Sequence, residues 1–273
     1  MTKVVVTGGF DDLRAPQMRF LHEASRLGDL HVLLWSDDVV RKLTGAAPEF
    51  LQLERQYFIQ AIRYVSDTTL VTQLASEDSL PEVQGRAPDI WVVTEYEDTL
   101  AKRETAERLG IAYHVLSTGD LTGYPVPAID VFDQHTENPK VIVTGCYDWL
   151  HSGHIRFFEE ASAYGDLYVA VGNDVNVRNL KGEGHPLFPQ ELRRYMVQSI
   201  RYVTQAVITK GMGWMDAAPN IAEIQPDIYL VNEDGDKPEK RAFCLENDLE
   251  YVVLKREPAP GLTRRSSTNL RGF

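Results

Sequence analysis

Cysteine is scarce in this chain: Cys146 and Cys244 are the two among 273 residues, in separate regions. That excludes a disulfide framework and any Cys-x-x-Cys metal knuckle, and it leads us to expect a reduced, cytoplasmic protein. Positive charge is also in deficit. Twenty-eight Lys and Arg face 40 Asp and Glu, a net charge of −12. No basic field exists to neutralise a nucleic-acid backbone, so no nucleic-acid partner is expected. No apolar run approaches membrane-spanning length, so no membrane partner is expected either. The amino terminus passes straight into Lys3-Val-Val-Val6 without signal-peptide architecture. What remains is ordinary globular material, 43% hydrophobic and 25% charged, enough for two domains of modest size.

The chain repeats itself. Lys3 to Leu13 (KVVVTGGFDDL) matches Lys140 to Leu150 (KVIVTGCYDWL) at seven of eleven positions. Gly28-Asp-Leu30 recurs as Gly165-Asp-Leu167, Tyr57 to Val65 recurs as Tyr195 to Val203, and Pro88-Asp-Ile90 recurs as Pro226-Asp-Ile228. The offset is 137 residues early and 138 later, the mark of a duplicated domain with one residue gained or lost in a loop. We expect domains at 1–124 and 140–273, joined by a Pro-containing linker at 125–139.

Each copy alternates strand and helix patterns. In the second, strands are predicted near 140–145, 167–172, 204–209, 227–231 and 250–254, and helices near 152–164, 190–201, 215–224 and 237–247. The order implies an α/β fold with a parallel sheet covered by helices on both faces.

One corner concentrates the chemistry. Thr144-Gly-Cys-Tyr-Asp-Trp-Leu-His-Ser-Gly-His154 joins the first strand of the second copy to its first helix. The start of a helix offers unpaired N–H groups and the positive end of the dipole, a ready phosphate site. His151 and His154, three apart, share one face and reach one ligand. The first copy carries Arg14-Ala-Pro-Gln17 instead, losing both imidazoles, and Pro16 replaces Gly153. Thr44 stands for Lys181. The first copy therefore reads as catalytically inactive.

Further residues follow in a fixed order: Lys181 within Asn179-Leu-Lys-Gly182, Arg193, Ile200-Arg-Tyr-Val203, Trp214, and Arg264-Arg-Ser-Ser-Thr-Asn-Leu-Arg271. With the His-x-Gly-His corner, this series resembles the cytidylyltransferase-like nucleotidyltransferases, in particular the glycerol-3-phosphate cytidylyltransferases, over about residues 140 to 271. The plan of one competent and one degenerate copy is similar to that of phosphoethanolamine cytidylyltransferases, in which the degenerate copy comes second.

The resemblance implies tandem Rossmann-like domains, each a five-stranded sheet in order 3-2-1-4-5. It implies catalytic roles for His151, His154, Lys181 and Arg193. Nucleotide contacts fall to Thr144, Gly145, Cys146, Tyr147, Gly153, Arg264, Arg265, Ser266, Ser267 and Thr268. Acceptor contacts fall to Asp148, Lys181, Arg201, Trp214 and Asp236. Arg193 and Arg201 persist in the first copy as Arg55 and Arg63, so a structural role is the alternative for both. Asp236 belongs to an acidic turn, Asn232 to Asp236, for which plain solvation is the alternative.

The family's Arg-Thr-x-Gly-Ile-Ser-Thr is replaced by a longer segment from Lys255 to Thr268, leaving Arg256, Arg264 and Arg265 as rivals for the phosphate-binding arginine. The Arg264–Thr268 stretch is expected to open a short final helix capped by serine. The expected activity is transfer of CMP from CTP to a small phosphorylated alcohol or phosphonate, with Mg²⁺ accompanying the triphosphate and no protein metal ligand. The Ser-Ser-Thr-x-x-Arg form also resembles adenylyltransferases, which makes ATP and a sugar or polyol phosphate the alternative. A nucleotide-binding sensor without turnover is the alternative of another class. The first copy is expected to act as the pseudo-symmetric mate of the second, and a homodimer of the chain is compatible with that plan.

Overall fold

The computed structural model describes residues 2–81, 87–125, 137–266 and 270. The chain divides into two compact units, Met1–Gly123 and Tyr124–Phe273. Most of the expected linker at 125–139 lies outside the described residues.

The first unit contains β1 (Lys3–Gly8), α1 (Ala15–Ser25), β2 (Asp29–Trp35), α2 (Asp37–Thr44), α3 (Gln52–Gln60), β3 (Asp67–Val71), β4 (Ile90–Thr94), α4 (Leu100–Leu109) and β5 (Ala112–Leu116). All strand pairs are parallel, in the order β3-β2-β1-β4-β5. The second unit contains β6 (Lys140–Gly145), α5 (Ser152–Ser162), β7 (Asp166–Val171), α6 (Asp174–Lys181), α7 (Gln190–Gln198), β8 (Gln205–Ile208), α8 (Ala218–Ile224), β9 (Ile228–Asn232), α9 (Pro238–Glu246) and β10 (Glu250–Leu254). Its sheet runs β10-β9-β6-β7-β8, again all parallel. The first strand of each unit is thus third in its sheet, and the order is the expected 3-2-1-4-5.

The sequence explains the layering. Strands β1 and β6 are covered on both faces, so they read as unbroken Val/Ile runs and not as alternations. Around Ile142 in β6 pack Tyr168, Ala170, Ile221, Tyr229 and Cys244. Around Val5 in β1 pack Leu33, Val39, Trp91 and Ala106. Small polar residues start the helices: Ser36 caps α2 by accepting from Val39 N–H, Thr99 caps α4, and Asn173 caps α6. Two glycines let the chain close tightly. A side-chain carbon at Gly28 or Gly165 would fall 2.3 Å from the Thr2 carbonyl oxygen or 2.0 Å from that of Pro139.

The elements depart from the expected ones in two places. Helix α6 was not expected; its last residue is Lys181, which therefore closes a helix and does not sit inside a loop. Helix α7 ends at Gln198, three residues short of the predicted end, so Arg201 lies beyond it. Residues 255–266 form no helix, and most of the short helix expected to open at Arg264 lies outside the described residues.

Candidate functional site

The corner sits at the carboxyl end of β6, where open parallel sheets expose the loops that bind ligands. Tyr147 makes the turn. It adopts a left-handed backbone, φ +51°, and its ring folds back over Gly145, where a side-chain carbon would meet the ring at 2.7 Å. The buried ring of Tyr147 packs edge-on to His154, centroids 5.2 Å apart, and lies against Phe158 at the same distance. Its ring therefore backs that of His154.

His151 is the residue that caps α5. Its Nδ1 accepts the Gly153 N–H at 3.1 Å. In the neutral ring the proton is consequently on Nε2. The ring stacks on that of His154 with centroids 3.9 Å apart and planes inclined by 23°. Gly153 makes this possible: a side-chain carbon there would come within 3.0 Å of the His151 ring.

Burial pushes the His151 ring down to about 3, helped by the positive charges of Arg256 and Arg265. Burial also holds His154 well below the ordinary imidazole range, with His151, Arg256 and Lys181 adding to the effect. A hydrogen bond to the Trp149 backbone works the other way, favouring the protonated ring. Both imidazoles are therefore neutral at physiological pH. His151 Nε2 and His154 Nδ1 are enclosed, and neither has a hydrogen-bond partner among the described residues. An unsatisfied buried polar atom costs about 1–3 kcal/mol, so two together mark a place prepared for something else.

Cations ring the pair. Lys181 at the end of α6 is exposed, and its charge acts on both His154 and Cys146. Gly153, Arg256, Arg264 and Arg265 line one cleft. Arg256 therefore joins the site together with both of its rivals. Its guanidinium reaches Asp234 and donates to the Arg265 carbonyl at 3.2 Å. Ser266 follows directly, while Ser267 and Thr268 lie outside the described residues.

Several expected contact residues are used for construction instead. Arg193 is 1% exposed. Its guanidinium donates to the carbonyls of Phe188, Cys146 and Gly172 and to Asp174. The expected phosphate role is corrected: Arg193 is a clamp that ties three loops of the carboxyl edge together. Asp148, expected at the acceptor, is 5% exposed and accepts the N–H groups of Leu187 at 2.8 Å and Phe188 at 3.0 Å. Asp236, likewise expected there, is held by Arg241 at 2.7 and 2.9 Å and by the Tyr251 hydroxyl at 3.1 Å. The Arg241 bonds keep its carboxyl below the usual range.

Arg201 precedes β8, so its main chain lies at the amino edge of the sheet, opposite the histidines. Trp214 is at the carboxyl edge, half exposed after β8, two strands from β6. Thr144 pairs its hydroxyl with that of Tyr229 at 3.0 Å. Cys146 keeps a half-buried thiol that burial pushes up, and it contributes its carbonyl to Arg193.

The equivalent corner of the first unit is built differently. Arg14 caps α1 by its main chain, which donates to the Gln17 side chain at 3.2 Å. Its guanidinium is engaged bidentately by Asp12, at 2.8 and 2.6 Å. An internal ion pair occupies the position that the imidazoles hold in the second unit.

Among the described residues no three His, Cys, Asp or Glu side chains converge as a metal site, and no helix is long and apolar enough to cross a membrane.

Comparison with known proteins places this geometry in context. The cytidylyltransferase-like family model matches residues 142–270, which hold the whole corner. The FAD synthase of Aciduliprofundum boonei is 35% identical over 119 residues, 42% of this chain and 76% of that protein. The FAD synthase of Methanolacinia petrolearia is 34% identical over 134 residues, 48% of this chain and 86% of that protein. The bifunctional protein HldE of Aeromonas hydrophila is 34% identical over 205 residues, 70% of this chain and 40% of that protein. The chain thus spans less than half of this bifunctional relative. Among solved structures, the lipopolysaccharide core biosynthesis protein from Thermoplasma volcanium covers 44% of this chain and 98% of its own, with 25% identity and a TM-score of 0.38.

Proposed function

The chain belongs to the cytidylyltransferase-like family, and from that premise we propose that its second unit transfers a nucleotidyl group from a nucleoside triphosphate to a small phosphorylated acceptor, releasing pyrophosphate, with ATP as the favoured donor. One observation carries the reading. Two stacked, neutral imidazoles stand at the start of α5, each with an enclosed ring nitrogen that has no partner among the described residues.

A phosphomonoester acceptor is already ionised near neutral pH, so its oxygen attacks the α-phosphorus without a strong base. The bond to the β-phosphate breaks and pyrophosphate leaves. The task left to the protein is to hold converging negative charges and stabilise the charge that moves to the leaving group. His151 presents an Nε2 proton already fixed in direction by the Gly153 N–H. His154 stacks on that ring and brings a second enclosed nitrogen, Nδ1, to the corner. Lys181 and the arginines 256 and 265 supply the surrounding positive field. Arg193 and Asp148 position the loops that carry these groups.

The adenylyl preference is supported by two relatives named FAD synthase, because FAD contains an AMP moiety, and by the Ser-Ser-Thr-x-x-Arg form of the terminal segment. CTP, which the likeness to glycerol-3-phosphate cytidylyltransferases favoured, is the competing donor. The corner is rich in cations and does not suit a bare metal ion. Mg²⁺ belongs to this reading only as the counter-ion of the triphosphate, held by phosphate oxygens and water. A cytoplasmic setting goes with it.

The test is pyrophosphate release from ATP and from CTP, each against a panel of phospho-alcohols, sugar phosphates, flavin phosphate and phosphonates. Faster release with ATP is expected. Release with CTP alone would reverse the donor assignment, and nucleotide binding without release from any pair would sink the transferase reading.

A further inference from the structure

The cleft beside the histidines is closed by the segment that follows β10. The Arg265 carbonyl oxygen would stand 3.8 Å from a side-chain carbon at Gly153, so this segment lies directly over the start of α5. Arg256 holds it there. Its Nη2 donates to the Arg265 carbonyl at 3.2 Å, its Nη1 reaches the Asp234 carboxylate, and its main-chain N–H points to Glu233 Oε1 at 3.4 Å. Asp234 belongs to the short 3-10 turn Glu233–Gly235 after β9. An acidic side chain from the neighbouring strand end thus engages the cation whose charge bears on both imidazoles.

We propose that Asp234 is a built-in competitor for the triphosphate: it holds Arg256 while the site is empty and must release it when phosphate oxygens arrive. The inference rests on the reading of the corner as a triphosphate site. It concerns affinity and entry, not the reaction step. Two features favour competition over simple support. First, the pair is only part-buried, with Arg256 29% and Asp234 50% exposed, so the bond is cheap to exchange. Second, the same guanidinium spans the acidic turn and the covering segment, so a change of partner at Asp234 also loosens the cover at Arg265. Removing the carboxylate leaves Arg256 for the ligand alone. Removing Arg256 makes the carboxylate irrelevant.

The experiment measures binding directly, by calorimetry, using inorganic tripolyphosphate and then ATP. The full chain is compared with Asp234→Asn, Arg256→Gln and the double variant. An exposed ion pair is worth at most about 1 kcal/mol, so Asp234→Asn should tighten tripolyphosphate about two- to fivefold. The gain should shrink as salt rises. Arg256→Gln should weaken binding, and adding Asp234→Asn to it should change nothing further. Unchanged or weaker binding in Asp234→Asn overturns the inference, as does a gain that survives in the double variant. Failure of the unaltered protein to bind tripolyphosphate overturns it together with the reading of the corner. Tight, Asp234-sensitive binding without any nucleotidyl transfer leaves it standing while the transferase reading falls.

Discussion

Arg55 and Arg193 do the same work in the two units, while Arg14 and His151 do not. Arg55 donates to the carbonyls of Phe50, Gly9 and Trp35 and to Asp37; Arg193 donates to those of Phe188, Cys146 and Gly172 and to Asp174. Asp11 accepts from Glu49 and Phe50 as Asp148 accepts from Leu187 and Phe188. The triad of Asp98, Arg103 and Tyr113 repeats as Asp236, Arg241 and Tyr251. Even the left-handed turn recurs, at Phe10 and Tyr147. Among the described residues the stacked imidazoles belong to the second unit, where the first has Arg14 and Gln17. The difference separates a shared scaffold from the side chains mounted on it.

The comparison can be broken in three ways. The largest effect belongs to His154→Ala. Loss of one preorganised donor should lower turnover by about 100- to 1000-fold, whereas Gln17→Ala at the equivalent place should leave it unchanged. Turnover retained in His154→Ala would remove the distinction between the units. Next come the clamps. Arg55→Ala and Arg193→Ala each strip a buried donor from a carboxylate and three carbonyls. Each should destabilise by about 3 kcal/mol, read from denaturant melts, and only Arg193→Ala should also depress turnover. A stable Arg193→Ala with lost turnover would return that residue to the catalytic set. Smallest is Tyr147→Phe, which copies Phe10. Its enclosed hydroxyl has no partner among the described residues, so the change should stabilise the fold, by about 1–3 kcal/mol, and leave the nucleotide KM within twofold.

Much of this was legible in the chain. The repeat and the histidine corner follow from local pattern and from motif spacing, which reach across a few residues, and the sheet order from the family resemblance. What escaped is what depends on partners distant in sequence. Arg193 reads as a phosphate ligand until Cys146, Gly172, Asp174 and Phe188 are seen to converge on it. Its persistence as Arg55 in a copy without histidines was the one signal of a structural role. Asp148 and Asp236 carried the same signal through Asp11 and Asp98. Helix α6 was missed because its eight residues pair with no long apolar stripe, though Asn173 marks its start and Gly182 its end. Arg256 was singled out from its rivals only by the bond that joins it to Asp234.

Pro16 sets the first unit's corner apart from the second's in a way that its neighbours do not. In the second unit a main-chain N–H at Gly153 orients the His151 ring. Proline has no such hydrogen to give. An imidazole reinstated at position 14 would find nothing to steer it, and one at position 17 would stand beside an unaligned companion. A residue with no chemistry of its own thereby decides whether a histidine pair can be aligned at this corner.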